Sequence, residues 1–191
     1  IPGTANKINN LISSLTFQTF PKTFLPRSKI ILSGNPIKDS FLKIIDPQTK
    51  YSEKKNILNI LVFGGSQGAK FLNYNIPKCL SRFPGKFEIT HITGKNDTEV
   101  VKTQYDDYGL SAKVLNFSNE MEKLYDWSDI IISRAGSMTV SEISKSGRAA
   151  ILVPFLHATD NHQYFNAKYL EENKAAIIIE EDKNFISKLS N

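Results

Sequence analysis

Ser137, Thr139 and Ser141 sit together at what reads as the start of a helix opened by Gly136, and Glu142 follows about one turn in. Hydroxyls beside the free N–H groups of a first helical turn suit an anion, and could hold a diphosphate without a metal. Glu142 could accept hydrogen bonds from a ribose diol. A competing account is structural: Thr139-x-x-Glu142 also fits a capping box, with the glutamate bonding back to the helix start. A second cluster is Gly64-Gly65-Ser66-Gln67-Gly68, directly after the apolar run Ile60-Leu61-Val62-Phe63. Strand, tight turn and helix start in that order suggest a phosphate site, although glycines after a strand also serve simply to turn the chain. The spacing matches neither G-x-G-x-x-G nor a P-loop, since no Lys-Ser/Thr pair closes it. A third cluster holds Asp160, Asn161, His162, Gln163 and Asn166. Amides and imidazole offer both donors and acceptors, which suits sugar hydroxyls; the alternative is Asp160 as an N-cap with polar neighbours facing water. Two more polar stretches, Thr93-Gly94-Lys95-Asn96 and Phe117-Ser118-Asn119-Glu120-Met121, complete the set.

The elements that must position these groups follow from the patterning. Strands are expected at 57–63, 87–93, 113–117, 129–133, 150–153 and 176–180. Helices are expected at 69–83, 98–108, 120–127, 138–146 and 161–173, with a further one beginning near Asn184. Short apolar runs alternating with helical patterns indicate an α/β protein whose parallel sheet is covered on both faces. Such sheets bind ligands beyond the carboxyl ends of their strands, where all five polar stretches fall. Val140 and Ile143 share a face expected to pack on the sheet, Gly147 is expected to end that helix, and Phe165, Tyr169 and Leu170 are spaced for a core face. Before residue 57 the pattern is weaker. Residues 1–27 mix apolar and polar types, 29–32 reads as a short strand, and the polar stretch 46–56 reads as a loop or linker.

The 191 residues suffice for one large domain, or a domain with an appendage. A lone cysteine, Cys79, excludes an internal disulfide and a multi-cysteine metal site, and its helical setting suggests a buried apolar role. His91, His157 and His162 lack zinc-type spacing, and neither a membrane-length apolar run nor a signal peptide is visible, so a cytoplasmic protein is the expectation. Residues 1–60 carry nine Lys/Arg against three acids. That basic front could meet an anionic membrane or nucleic acid, and is otherwise a lysine-rich solvated surface. The chain begins at Ile1-Pro2-Gly3 and ends at Ser190-Asn191, and both ends look like cuts within a longer protein.

Taken together, the motifs resemble the MurG family of peptidoglycan N-acetylglucosaminyltransferases, which convert lipid I to lipid II. The resemblance rests on Gly34-Asn35-Pro36-Ile37-Lys38, on Gly64 to Ala69 with Asn73 downstream, and on His91-x-x-Gly94-Lys95. It rests further on Arg134-x-Gly136-Ser137-Met138-Thr139-Val140-Ser141-Glu142, and on Pro154-Phe155 with His162-Gln163-x-x-Asn166-Ala167. It implies a GT-B fold, of which this chain supplies the donor-binding half, a Rossmann-like domain at 57–191 truncated at its C-terminus. Residues 1–45 would be the interdomain crossover segment and the start of that domain, with the N-terminal acceptor domain absent. The implied donor is UDP-N-acetylglucosamine, a substrate rather than a cofactor; no cofactor, metal or nucleic acid is implied. By resemblance, Ser66 meets the diphosphate and Phe117 with Ser118 the uracil. Ser137, Met138 and Thr139 cradle phosphate, Glu142 binds the ribose and Gln163 the N-acetylglucosamine hydroxyls, with His162 and Asn166 also among the implied substrate-binding residues. Lys38 stands where the family commonly has arginine and so lacks the two-pronged hydrogen bond. No catalytic residue is expected in this chain, and the fragment alone is expected not to turn over lipid I, which would be met through the missing domain. Peripheral contact with the cytoplasmic membrane face is implied for the full-length enzyme. The alternatives are a non-catalytic remnant of such an enzyme, or a different GT-B sugar-nucleotide enzyme.

Overall fold

The structure is a computed structural model. It describes residues 2–190 apart from 22, 26, 53–56, 157, 159 and 160. Six strands, β3 (Leu58–Phe63), β4 (Phe87–Ile92), β5 (Ala112–Leu115), β6 (Ile130–Ser133), β7 (Ala149–Leu152) and β8 (Ala176–Ile178), form one parallel sheet in the order β5-β4-β3-β6-β7-β8. The connecting helices are α3 (Lys70–Leu80), α4 (Thr98–Asp107), α5 (Met121–Trp127), α6 (Ser137–Ser146) and α7 (His162–Glu172), with α8 (Phe185–Ser190) last. Strand and helix types match the expected alternation, with bounds differing by a few residues.

Side chains alternate across each strand, so the sheet builds a core on each face. Ile60, Val62 and Ile132 pack under α3, α4 and α8, against Leu72, Ile76, Val101, Tyr105 and Phe185. Leu61, Phe63 and Ile131 pack under α5, α6 and α7, against Tyr125, Val140, Ile143, Ala167 and Leu170. Val140 and Ile143 therefore face the sheet as expected, and Gly147 ends α6 at φ 62°. Leu170 is buried, whereas Phe165 and Tyr169 remain 46% and 36% exposed, so only one of the three expected core residues is inside. Cys79 is fully buried, and that burial pushes its thiol up to about 11.

The first third of the chain holds more structure than its pattern suggested. A helix, α1 (Thr4–Ile12), leads into a two-stranded parallel sheet of β1 (Thr16–Gln18) and β2 (Ile30–Leu32), the latter at the expected strand. Within the expected loop or linker at 46–56, Pro47–Tyr51 forms a short helix, α2, started by Asp46, whose carboxylate accepts from Gln48 N at 2.9 Å. Its docking is polar. Lys50 Nζ donates to the carbonyls of Asp126 (2.7 Å) and Trp127 (2.8 Å), and the Tyr51 hydroxyl donates to Asp129 O (2.7 Å). Polar anchors of this kind leave no apolar periodicity to read, which is why the segment looked like a linker. Residues 53–56 lie outside the described residues.

Candidate functional site

The strand order reverses between β3 and β6, and in open parallel sheets a ligand crevice opens beyond the carboxyl ends at that point. The Gly64–Gly68 turn follows β3 there and the 134–137 turn follows β6. Two glycines are explained by contact between neighbouring turns. Gly68 sits at φ +73°, and a Cβ on it would lie 2.0 Å from Thr93 O; a Cβ on Gly94 would lie 2.8 Å from Gln67 O. The turns after β3 and β4 thus touch backbone to backbone.

A cavity of about 250 Å³ opens at this rim, and Lys38, Ser66, Phe117, Ser118, Thr139 and Glu142 line it. These six expected site residues come from four separate stretches of the chain. Gly65 also lines the cavity, at φ +88° with open space on its Cβ side. Glu142 is half-buried, and Tyr125 Oη donates to its Oε2 at 3.0 Å. Burial raises the Glu142 carboxyl above its ordinary value; the Tyr125 hydrogen bond and the Lys38 charge oppose that rise. The capping box expected at Thr139-x-x-Glu142 is not formed. The N-cap of α6 is Gly136, with no side-chain cap among the described residues, and Glu142 reaches toward α5 instead. The first-turn N–H groups of α6 are therefore not claimed by a cap. The Ser118 hydroxyl accepts from Glu120 N at 3.2 Å.

A second cavity, of about 560 Å³, adjoins the same helix start from the other side. Ser137, His162 and Asn166 line it together with Asn6, Asn9 and Asn10 of α1. Met138, exposed at the tip of α6, and Gln163 line neither cavity. Gln163 and Asn166 also have structural work. Gln163 Oε1 accepts from Phe155 N (3.0 Å), and Asn166 Nδ2 donates to Ala135 O (3.1 Å), tying α7 to the turn before α6. The N-cap of α7 is Asn161, in the left-handed region; Asp160, the expected cap, lies outside the described residues, as does His157.

Asn35 was not singled out for a role, yet it fastens this region. Its Nδ2 donates to Ser137 Oγ (2.8 Å) and Ser141 Oγ (3.1 Å), while its Oδ1 accepts from Thr19 (2.7 Å). Its place in Gly34-Asn35-Pro36, beside Lys38, was the available signal. Tyr125 was missed because a tyrosine in a short helical pattern reads as core. Arg134 and His91, both in the quoted motifs, belong to the framework. Arg134 is buried, donates to Val153 O (3.0 Å) and pairs with Glu181. His91 is fully buried between Tyr105 Oη (3.0 Å) and Asn73 Oδ1 (3.2 Å), and burial drives its imidazole down to about 3. Asn73 Nδ2 donates to Thr93 O and Asp97, so its Oδ1 is the acceptor facing the ring. His91 is therefore neutral with the proton on Nε2.

A six-stranded parallel sheet with a two-sided core and a crevice at its switch point is the architecture of a GT-B half, and the glycosyltransferase family 28 C-terminal domain matches residues 59–191. The chain belongs to that family. It is 41% identical over 184 residues to the UDP-N-acetylglucosamine–N-acetylmuramyl-(pentapeptide) pyrophosphoryl-undecaprenol N-acetylglucosamine transferase of Coxiella burnetii, covering 95% of this chain and 51% of that protein. It is 44% identical over 191 residues to the enzyme of the same name from Wigglesworthia glossinidia brevipalpis, covering 98% and 52%. The crystal structure of Acinetobacter baumannii MurG superposes with a TM-score of 0.87 at 32% identity, across all of this chain and 53% of that one. The chain thus spans about half the length of the relatives it matches.

Proposed function

We propose that this chain is the donor-binding half of an inverting glycosyltransferase that moves N-acetylglucosamine from UDP-N-acetylglucosamine to lipid I, giving lipid II. The observation that carries this reading is the cavity at the β3/β6 switch point, where Lys38, Ser66, Phe117, Ser118, Thr139 and Glu142 converge. The names of the relatives supply the substrates.

In this reading the uracil lies against Phe117 and the Ser118 main chain, and Glu142 accepts from the ribose. The diphosphate meets Ser66, Lys38 and the uncapped N–H groups at Ser137, Met138 and Thr139, where the positive end of α6 favours negative charge. The sugar points toward the second cavity, where His162 and Asn166 line the wall, with Gln163 beside them in the first turn of α7. The C4 hydroxyl of the acceptor sugar attacks the anomeric carbon, the new C–O bond forms as the bond to phosphate breaks, and UDP leaves. Helix-start N–H groups stabilise the charge that develops on the diphosphate, so no metal is needed. The base that takes the hydroxyl proton belongs to the half of the relatives this chain does not match. No helix among the described residues is long and apolar enough to cross a membrane. We place the full-length enzyme at the cytoplasmic membrane face, held peripherally, with the basic front of this chain contributing.

Calorimetric titration with UDP-N-acetylglucosamine tests the reading. Binding is expected, competed by UDP, unchanged by a chelator, and weakened about tenfold by Glu142→Ala, the loss of one hydrogen bond to a charged group. Absence of heat with both UDP-N-acetylglucosamine and UDP rejects the donor site.

A further inference from the structure

We propose that Tyr125 is a positioning residue that makes the cavity prefer a ribonucleotide to its 2′-deoxy counterpart; this rests on the reading that Glu142 meets the ribose diol. Tyr125 is fully buried. Its ring is packed by Phe41, edge-on at 5.1 Å between centroids, and by Phe63 at 5.8 Å. Its carbonyl accepts from Arg148 Nε (3.1 Å) and Ser128 Oγ (3.0 Å), which fixes the main chain that carries it. Among the described residues the hydroxyl has one partner, Glu142 Oε2 at 3.0 Å.

A phenol hydroxyl has a single proton to donate, so this bond commits one carboxylate oxygen. Among the described residues no hydrogen bond reaches Glu142 Oε1. The last torsion of a glutamate is broad and roughly two-fold, so an untethered carboxylate would present its oxygens in many orientations. Tyr125 removes that freedom and leaves Oε1 as the acceptor on a residue that lines the cavity beside Lys38 and Thr139. A 2′-hydroxyl satisfies it. A 2′-deoxyribose offers it only the 3′-hydroxyl, so this half-buried charged acceptor loses one of the two donors of the diol, and a site built for a hydroxyl discriminates against the analogue lacking one for that reason. Tyr125 stands behind Glu142 and acts through it.

Tyr125→Phe keeps the ring and its packing and removes only the donor. The 191-residue chain and this variant are titrated with UDP and with 2′-deoxy-UDP, using ligand-observed NMR to reach weak binding. The parent chain is expected to prefer UDP about tenfold, the scale of one hydrogen bond to a charged group. In Tyr125→Phe the preference falls to about threefold or less, chiefly through weaker UDP binding, and 4-aminophenylalanine in place of Tyr125 restores it. A purely structural tyrosine would lower both affinities alike, and an unchanged ratio overturns the proposal. If Tyr125→Phe does not fold, the parent chain still decides. The Tyr125 hydroxyl proton, sheltered from exchange, should shift on adding UDP and stay in place with 2′-deoxy-UDP; an equal response to the two overturns it. A parent chain that binds neither nucleotide removes the donor-site reading and this one together, whereas a preference that survives Tyr125→Phe removes only the role of Tyr125.

Discussion

His91 shows how a residue inside a shared motif can serve the frame rather than the ligand. Its ring is neutral in the folded chain because burial holds its pKa near 3, against an ordinary 6.5. The unfolded chain takes up a proton as pH drops through 6.5, while the folded chain does not. The stability tied to this ring is therefore fully present above about pH 6.5 and is lost as pH falls toward 3, at about 1.4 kcal/mol per pH unit. Denaturant midpoints followed from pH 7 to pH 4 should decline, and His91→Gln should flatten that part of the slope. Arg134 is a parallel case. It is buried, pairs with Glu181, donates to Val153 O and lies 5.4 Å from the Phe155 ring centroid. Arg134→Ala leaves a buried carboxylate without its partner and should cost about 3–5 kcal/mol. Urea unfolding measures this, and a loss below about 1 kcal/mol would contradict the burial argument.

At the scale of elements, the α6–β7 connection joins two parts of the chain through a single glycine. Gly147 sits at φ +62°, and a Cβ there would fall 2.1 Å from Pro47 Cγ, at the start of α2. Gly147→Ala must carry both the left-handed strain, about 1 kcal/mol, and the displacement of α2. Gly109, at φ +67° with open space around it, supplies the control. Gly109→Ala should cost only the strain, so thermal melts should separate the two variants by more than about 1 kcal/mol. The sheet strands and helices were readable in the sequence because buried parallel strands give continuous apolar runs and their helices give a clear period. Helix α2 was not, since it holds its place through Lys50, Tyr51 and a proline against Gly147. The site was readable as clusters of residue types beyond strand ends. How those clusters divide was not: Thr139 and Glu142 turn to one cavity and Ser137 to the other, which depends on the rotation of α6. The capping box failed for a related reason. Tyr125, seventeen positions away, offers Glu142 a better-placed donor than its own helix start does, and spacing within one helix carries no trace of it.

At the scale of the whole molecule, the small sheet differs from the large one. Strands β1 and β2 pair only with each other among the described residues, so each has an open edge. Phe17, Ile31 and Leu32 on them are 63%, 41% and 55% exposed, and Leu11, Ile12 and Leu25 nearby are more exposed still. Unpaired strand edges with apolar side chains invite association. Sedimentation velocity of this chain should show concentration-dependent self-association, and Phe17→Lys with Leu32→Lys should suppress it without lowering the melting temperature of the main sheet. A monodisperse monomer at high concentration would count against this.

The opening turn of α6 is a partition between two hollows, with Ser137 facing one and Thr139 the other. A molecule long enough to straddle that partition is held at both ends by one rigid edge, so once one end is seated the other is delivered at high local concentration. Uridine diphosphate and free N-acetylglucosamine, offered as separate molecules, should therefore each bind more weakly than the covalently joined compound.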